Sequence, residues 1–219
     1  YGLFNEYAAR MCAMAGECEL KTEIGVVFPM ASAWAMMNES LRANKFILLP
    51  ENRDTPWGIM QEAHYFVADA LLRSHWDYDF VFTGLFENAR VEAGRFIAPH
   101  SSYSTLILPG MAALTPLQMD KIRAFAESGG NVVFVAAVPE FSTDGGNDVK
   151  AAMQQLAQRP NVRFFPLSAV QDNDSTALDD LLKSFLPKQV TLRGEGARRI
   201  LKAHRMWHGL DVVLLANQS

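Results

Sequence analysis

Residues 105–135 constrain the fold more than any other stretch of this 219-residue chain. A short apolar run, Thr105 to Leu108, is closed by Pro109-Gly110 and followed by Thr115-Pro116, with Gln118 three residues after the threonine. Thr115 as N-cap, Pro116 in the first helical position and Gln118 completing a capping box specify a helix start, because each satisfies or removes a backbone N–H that the first turn leaves unpaired. Met119, Ile122, Phe125 and Ala126 then share one helical face, Gly129-Gly130 stops the helix, and Asn131 to Ala137 is a second apolar run. Two apolar strands joined by one amphipathic helix form a βαβ unit, which requires a mainly parallel sheet covered on both faces.

The same alternation continues on either side. Ile24 to Phe28, closed by Pro29, reads as the first strand, Asp79 to Thr83 as the second and Val162 to Phe165 as the fifth. Between the first two, Ile59, Ala63, Phe66, Val67, Ala70 and Leu71 keep one helical face apolar to about Trp76. Glu87 to Ala98 carries a turn at Gly94, and a further helix runs from about Asp148 to Gln158. The expected fold is α/β, three-layer αβα, with a mainly parallel, doubly wound sheet.

Both ends break the pattern. Leu3, Phe4, Tyr7, Met11 and Met14 recur at helical spacing in an opening helix that stops at Gly16. Arg198 to His204 and Asp211 to Ala216 read as two strands joined around His208-Gly209. A solitary hairpin is marginal in water, so this one either joins the sheet edge or starts an adjoining β-domain. The expected organisation is a helix ending a preceding domain (1–22), the α/β domain (23–190) and the hairpin (191–219), a middle segment of a longer protein.

Composition excludes two partner classes. Twenty Lys plus Arg against 24 Asp plus Glu leave a net charge of -4 with no basic block, so nucleic acid is not an expected partner. The longest apolar runs, such as Val132 to Val138, fall far short of the roughly 20 residues that span a bilayer, so no membrane is expected. The two cysteines, Cys12 and Cys18, match neither a redox pair nor a zinc site, and leave a disulfide between them open.

Ligands of open α/β sheets bind beyond the carboxyl ends of the strands. Ser32 and Trp34 follow the first strand, Glu87 the second and Glu140 the fourth, which makes these four the candidate carbohydrate contacts. An indole offers an apolar face to sugar C–H groups, and carboxylates accept hydroxyl hydrogens. The plainer alternative is that Trp34 packs the strand-to-helix turn and the glutamates are solvated. As a glycosidase pair, Glu87 and Glu140 would need to stand about 5 Å or about 6.5–9.5 Å apart.

No catalytic residue emerges. A doubly wound hydrolase mounts Cys or Ser in a tight turn after a strand, whereas the fourth strand runs into Ala136-Ala137-Val138-Pro139, and both cysteines precede the first strand. Ser142 lacks a surrounding GxSxG. Gly129-Gly130 follows a helix rather than opening one, and Gly145-Gly146 has Asp144 and Asp148 beside it, which repel phosphate, so no nucleotide cofactor is expected. The five histidines, His64, His75, His100, His204 and His208, form no HExxH, and no metal is expected.

The run Tyr103-Ser104-Thr105-Leu106-Ile107-Leu108-Pro109-Gly110, the capped helix, and Ser128-Gly129-Gly130-Asn131-Val132-Val133-Phe134 together resemble the class I glutamine-amidotransferase-like domain found inside large multidomain glycoside hydrolases. Similar too are Tyr7-Ala8-Ala9-Arg10, the strand from Ile24 leading to Ser32-Ala33-Trp34-Ala35, and Asp77-Tyr78-Asp79-Phe80. Ala203-His204-Arg205 and Asp211 to Asn217 look like the first hairpin of the β-sandwich that follows this domain in α-L-rhamnosidase-type enzymes, and the domain is related to the trimerisation domain of certain β-galactosidases. The resemblance implies a flavodoxin-like fold and a non-catalytic accessory role. The parent's catalytic acids would stand on a preceding barrel, and this domain would pack on it, helping to close the sugar pocket or joining copies. Implied partners are that barrel, the β-sandwich, carbohydrate and a second copy of the chain, in the periplasm or outside the cell. The rival readings are a carbohydrate-binding or oligomerisation module of a parent without hydrolase activity, and a free-standing amidotransferase-like or DJ-1-like enzyme, which the absent nucleophile opposes.

Overall fold

A computed structural model describes residues 1–37, 53–146 and 149–217. Its strands in chain order are β1 (Glu19–Leu20), β2 (Ile24–Val27), β3 (Tyr78–Val81), β4 (Arg90–Glu92), β5 (Arg95–Ala98), β6 (Ser101–Tyr103), β7 (Thr105–Pro109), β8 (Ala113–Leu114), β9 (Asn131–Val135), β10 (Phe141–Ser142), β11 (Val162–Phe165), β12 (Ile200–Trp207) and β13 (Leu210–Asn217). A five-stranded sheet in spatial order β11-β9-β7-β2-β3 is parallel at every pairing. Counted along the chain this is the order 2-1-3-4-5, a common doubly wound arrangement.

Period-2 alternation divides the strand side chains between two apolar layers. Val26, Ile107, Val133 and Val135 face helix Pro56–Arg73 and helix Ser175–Lys183, meeting Val67, Leu71, Leu178 and Leu182. Val27, Leu106, Leu108, Val132 and Phe134 face the other way, onto Ile122 and Phe125 of helix Pro116–Glu127 and Met153 of helix Val149–Leu156. Helices thus flank the parallel sheet on both faces, as the alternation requires. The capping box is present: the Thr115 hydroxyl accepts from the Gln118 N–H at 3.1 Å, and the Gln118 side chain accepts from the Thr115 N–H at 3.0 Å.

Three departures from the sequence reading have local causes. β3 stops at Val81, short of Thr83, because the Phe82 and Thr83 carbonyls accept from the Leu85 and Phe86 N–H groups and open the short helix Leu85–Asn88. β9 stops at Val135, because Ala136 turns to φ +65. Between β3 and β7 the chain carries an antiparallel meander, β4-β5-β6, which turns at Ala93-Gly94 and adds a strand beyond the expected stretch. Its Phe96 and Tyr103, with Phe86, are fully buried under the sheet, and Phe96 meets the Phe125 ring edge-on at 6.4 Å. The following helix begins at Val149; Asp148, its expected first residue, lies outside the described residues.

The terminal hairpin pairs fully from Ile200↔Asn217 to Trp207↔Leu210 and accepts β1 on its other side, with Glu19 opposite Met206. It forms this three-stranded sheet of its own and does not extend the parallel one. A buried clasp joins the two. Asp77, just ahead of β3, receives the Lys202 ammonium and, at 2.9 Å, the His204 N–H. Its carbonyl accepts from the Thr22 hydroxyl at 2.6 Å, and the His75 Nε2–H points at the carbonyls of Ala197 and Ile200 at 3.0 and 3.1 Å. On the outer side Asp211 meets His204 Nε2 at 2.7 Å and the Lys21 ammonium at 3.0 Å.

Candidate functional site

In the order 2-1-3-4-5 the strand connections diverge between β2 and β7, and a crevice is expected there beyond the carboxyl ends. This chain fills it. Ser32, on helix Met30–Met36, is fully buried, donating to the Ala113 carbonyl at 2.8 Å and accepting from the Ala113 N–H at 2.9 Å. Its hydroxyl is thereby spent on β8. On the other flank, Gly110 follows β7 at φ +57, and a Cβ there would lie 2.5 Å from the Met60 Cα and 2.8 Å from the Ile59 carbonyl oxygen. The first turns of helix Pro56–Arg73 therefore rest directly on the post-β7 loop.

Two strands along, Ala136 makes the sharp bend at which a doubly wound hydrolase carries its nucleophile. Its N–H donates to the Phe165 carbonyl at 2.8 Å, and the Ala137 N–H folds back onto Val135 at 2.8 Å. A left-handed φ of +65 costs a residue with a Cβ about 1–2 kcal/mol. The side chain at this bend is a methyl group.

The other candidate residues are dispersed. Trp34 is exposed on helix Met30–Met36, Glu87 is exposed on helix Leu85–Asn88, and Glu140 is exposed and paired with the Lys150 ammonium at 3.0 Å. β3 and β9, the strands that precede the two glutamates, stand three strand spacings apart, about 14 Å.

What the structure does assemble is a hollow of about 200 Å³ beyond the end of β2, between helix Met30–Met36 and helix Pro56–Arg73. Phe28, Ala33, Trp57, Met60, Gln61 and His64 contribute to its wall. The His64 ring lies edge-on to Phe28 at 5.0 Å and stacks on Phe80 at 5.4 Å, and Phe82 leans on Phe28 at 4.9 Å. His64 Nδ1 is buried with no hydrogen-bond partner among the described residues. Burial pulls this imidazole below its ordinary pKa of 6.5, so the ring is neutral at pH 7.

Sequence reasoning missed this hollow. The helix was read by its inward stripe alone, whereas Trp57, Met60, Gln61 and His64 recur at i, i+3, i+4 and i+7 and form a second stripe. That spacing was the available signal.

Among the described residues no group of three or more His, Cys, Asp or Glu side chains is placed to hold a metal ion. Cys12 and Cys18 are free thiols. Among the same residues no helix is long and apolar enough to cross a membrane. No protein-family model matches the chain, and no curated protein matches it either.

Proposed function

We propose that this chain is an accessory α/β domain of a bacterial glycoside hydrolase of α-L-rhamnosidase type, built on the class I glutamine-amidotransferase plan and without chemistry of its own. The observation that carries this reading is the bend at Ala136, which keeps the strained turn of a nucleophile-bearing loop and places an unreactive methyl on it. In this reading the catalytic carboxylates belong to a neighbouring barrel. The domain packs on that barrel, helping to close its sugar pocket or joining copies, in the periplasm or outside the cell.

Exposed apolar side chains support the packing role. Leu3 and Phe4 on the opening helix, and Leu210 and Leu215 on β13, are 84%, 68%, 61% and 50% exposed. The two elements are linked through β1, and large apolar side chains left exposed on both suit surfaces that neighbouring domains cover.

The reading is tested by incubating the purified chain with a panel of aryl glycosides, 4-nitrophenyl α-L-rhamnoside among them. No release above the blank is expected. Turnover that Glu87→Gln or Glu140→Gln abolishes overturns the reading.

A further inference from the structure

We propose that the free edge of β13 pairs with the same strand of a second copy of this chain, antiparallel and about a twofold axis at Leu214. β12 occupies one side of β13, and among the described residues no strand occupies the other. β13 runs for 8 residues without proline, lysine or bulge, its register with β12 being unbroken from Leu210 to Asn217. Its charged residue, Asp211, is already engaged by Lys21 and His204. Edges that must stay single carry such interruptions, and a long apolar edge without them is a template for another strand.

The direction of the backbone groups limits the register. His204, opposite Val213, turns its carbonyl to the Lys21 N–H at 3.3 Å and its own N–H to Asp77 at 2.9 Å, so neither is spent on β13. Val213 therefore points its N–H and carbonyl at the free edge, and by the period of two so do Asp211, Leu215 and Asn217. The hairpin turn gives the same phase. His208 and Gly209, at φ +47 and +81, form a two-residue turn of the primed kind, whose flanking residues Trp207 and Leu210 exchange both bonds.

A twofold axis requires a strand to match its own sequence read backwards. Centred on Leu214, Asp211 stands opposite Asn217, Val212 opposite Ala216, Val213 opposite Leu215, and Leu214 opposite itself. Edge-directed residues then meet edge-directed residues, and aliphatic side chains meet aliphatic side chains on both faces. Centred on Val213 the bonds are still made, but the Asp211 carboxylate is set against Leu215. The partner also has room. Lys202 and His204 on β12 are buried, whereas Leu215 and Val213, their neighbours on the same face, are exposed, so the α/β layer reaches no farther than β12.

The edge deepens the accessory reading, on whose copy-joining role it rests, by naming the surface. The two fail distinguishably: hydrolysis of a glycoside by the chain overturns the accessory role alone, whereas a monomeric chain overturns the edge and leaves packing on a barrel untouched. Sedimentation equilibrium of the whole chain, from low micromolar to submillimolar concentration, is expected to show a reversible dimer. Val213→Pro removes an edge-directed N–H and no bond to β12, and is expected to weaken the dimer at least about fivefold, since each copy loses one bond. In a Cys12→Ser, Cys18→Ser background, Leu214→Cys is expected to cross-link to itself under mild oxidation, because residues facing across a non-hydrogen-bonded pair have Cα atoms about 4.5 Å apart, within disulfide reach. Gln154→Cys, exposed on helix Val149–Leu156, is the control. Sedimentation and cross-linking decide the matter if Val213→Pro fails to fold. A monomer at every concentration, which would leave the edge to a strand of an adjoining domain, overturns the proposal. So does a dimer of unchanged strength in folded Val213→Pro, or Leu214→Cys cross-linking no faster than Gln154→Cys.

Discussion

Lys202 ends its side chain on Asp77, and the pair is sealed between the hairpin and the parallel sheet with the two side chains 3% and 10% exposed. Taking one charge away strands the other where little water reaches it. Lys202→Ala is expected to cost about 3–5 kcal/mol in urea denaturation, with faster hydrogen exchange along β12, whereas Lys202→Met combined with Asp77→Asn, which still accepts from the His204 N–H, recovers much of the loss. A loss for Lys202→Ala below about 1 kcal/mol, the range of exposed pairs, would show that the clasp is solvated in solution.

Ser32→Ala removes the group that both accepts from and donates to Ala113 in a fully buried position. The backbone N–H and carbonyl left behind set the expected cost at about 1–3 kcal/mol. Because the loss lies on the strand-end flank, the far hairpin's hydrogen exchange stays unchanged; a general loosening instead would mean that Ser32 matters globally.

Gly110 and Ala136 are expected to respond in opposite senses. Gly110→Ala drives a Cβ into the backbone of Met60 and Ile59, which cannot yield as a flexible side chain would, and the loss exceeds about 2 kcal/mol. Ala136→Gly relieves a left-handed backbone at a small entropic cost in the unfolded chain, giving a gain of up to about 1 kcal/mol. Thermal melts of the two variants measure both, and a destabilising Ala136→Gly would contradict the bend.

Two partly buried groups, Asp179 and His64, contribute to the pH response. Burial on its own would raise Asp179, but hydrogen bonds from Lys183, Lys188 and the Trp76 indole outweigh it and hold the carboxyl below the ordinary 3.8. A carboxyl depressed on folding contributes stability that is complete above its unfolded value and disappears as pH falls through the folded one. Asp179→Asn should therefore flatten the decline of stability below about pH 3.8. His64 is depressed by burial, so the unfolded chain takes up its proton first, and stability declines as pH falls below about 6.5. His64→Phe removes that decline, and an imidazole titrating above 6.5 by NMR would contradict it.

Much of the α/β layer was legible because its signals are local. Thr115, Pro116, Gln118 and Gly129 fix one helix within a short span, and β11 runs from Val162 to Phe165 as its apolar pattern indicated. The meander was only half visible. Gly94 marks its turn, but Ser101–Tyr103 is too short and polar to announce a strand, and it forms because Tyr103 and Phe96 are buried together against the sheet. Pairing of Glu19–Leu20 with Met206–Arg205 joins segments far apart in the chain, for which no local pattern exists. The hollow was hidden for a related reason. Phe28 ends a strand and His64 lies mid-helix, and only the packing of helix Pro56–Arg73 against the end of β2 brings their rings to 5.0 Å.

Pairing of β1 with β12 has a further consequence for how such a unit can be carried. The polypeptide enters the α/β layer past Leu20 and comes back opposite it at Arg205, through a single doorway. Antiparallel partners stand about 5 Å apart, so a host protein could accept this block as a surface insert while its own flanking segments stay side by side. A unit attached in that way is held to its host through β1 and β12, and the clasp at Asp77 fixes how that pair sits on the parallel sheet.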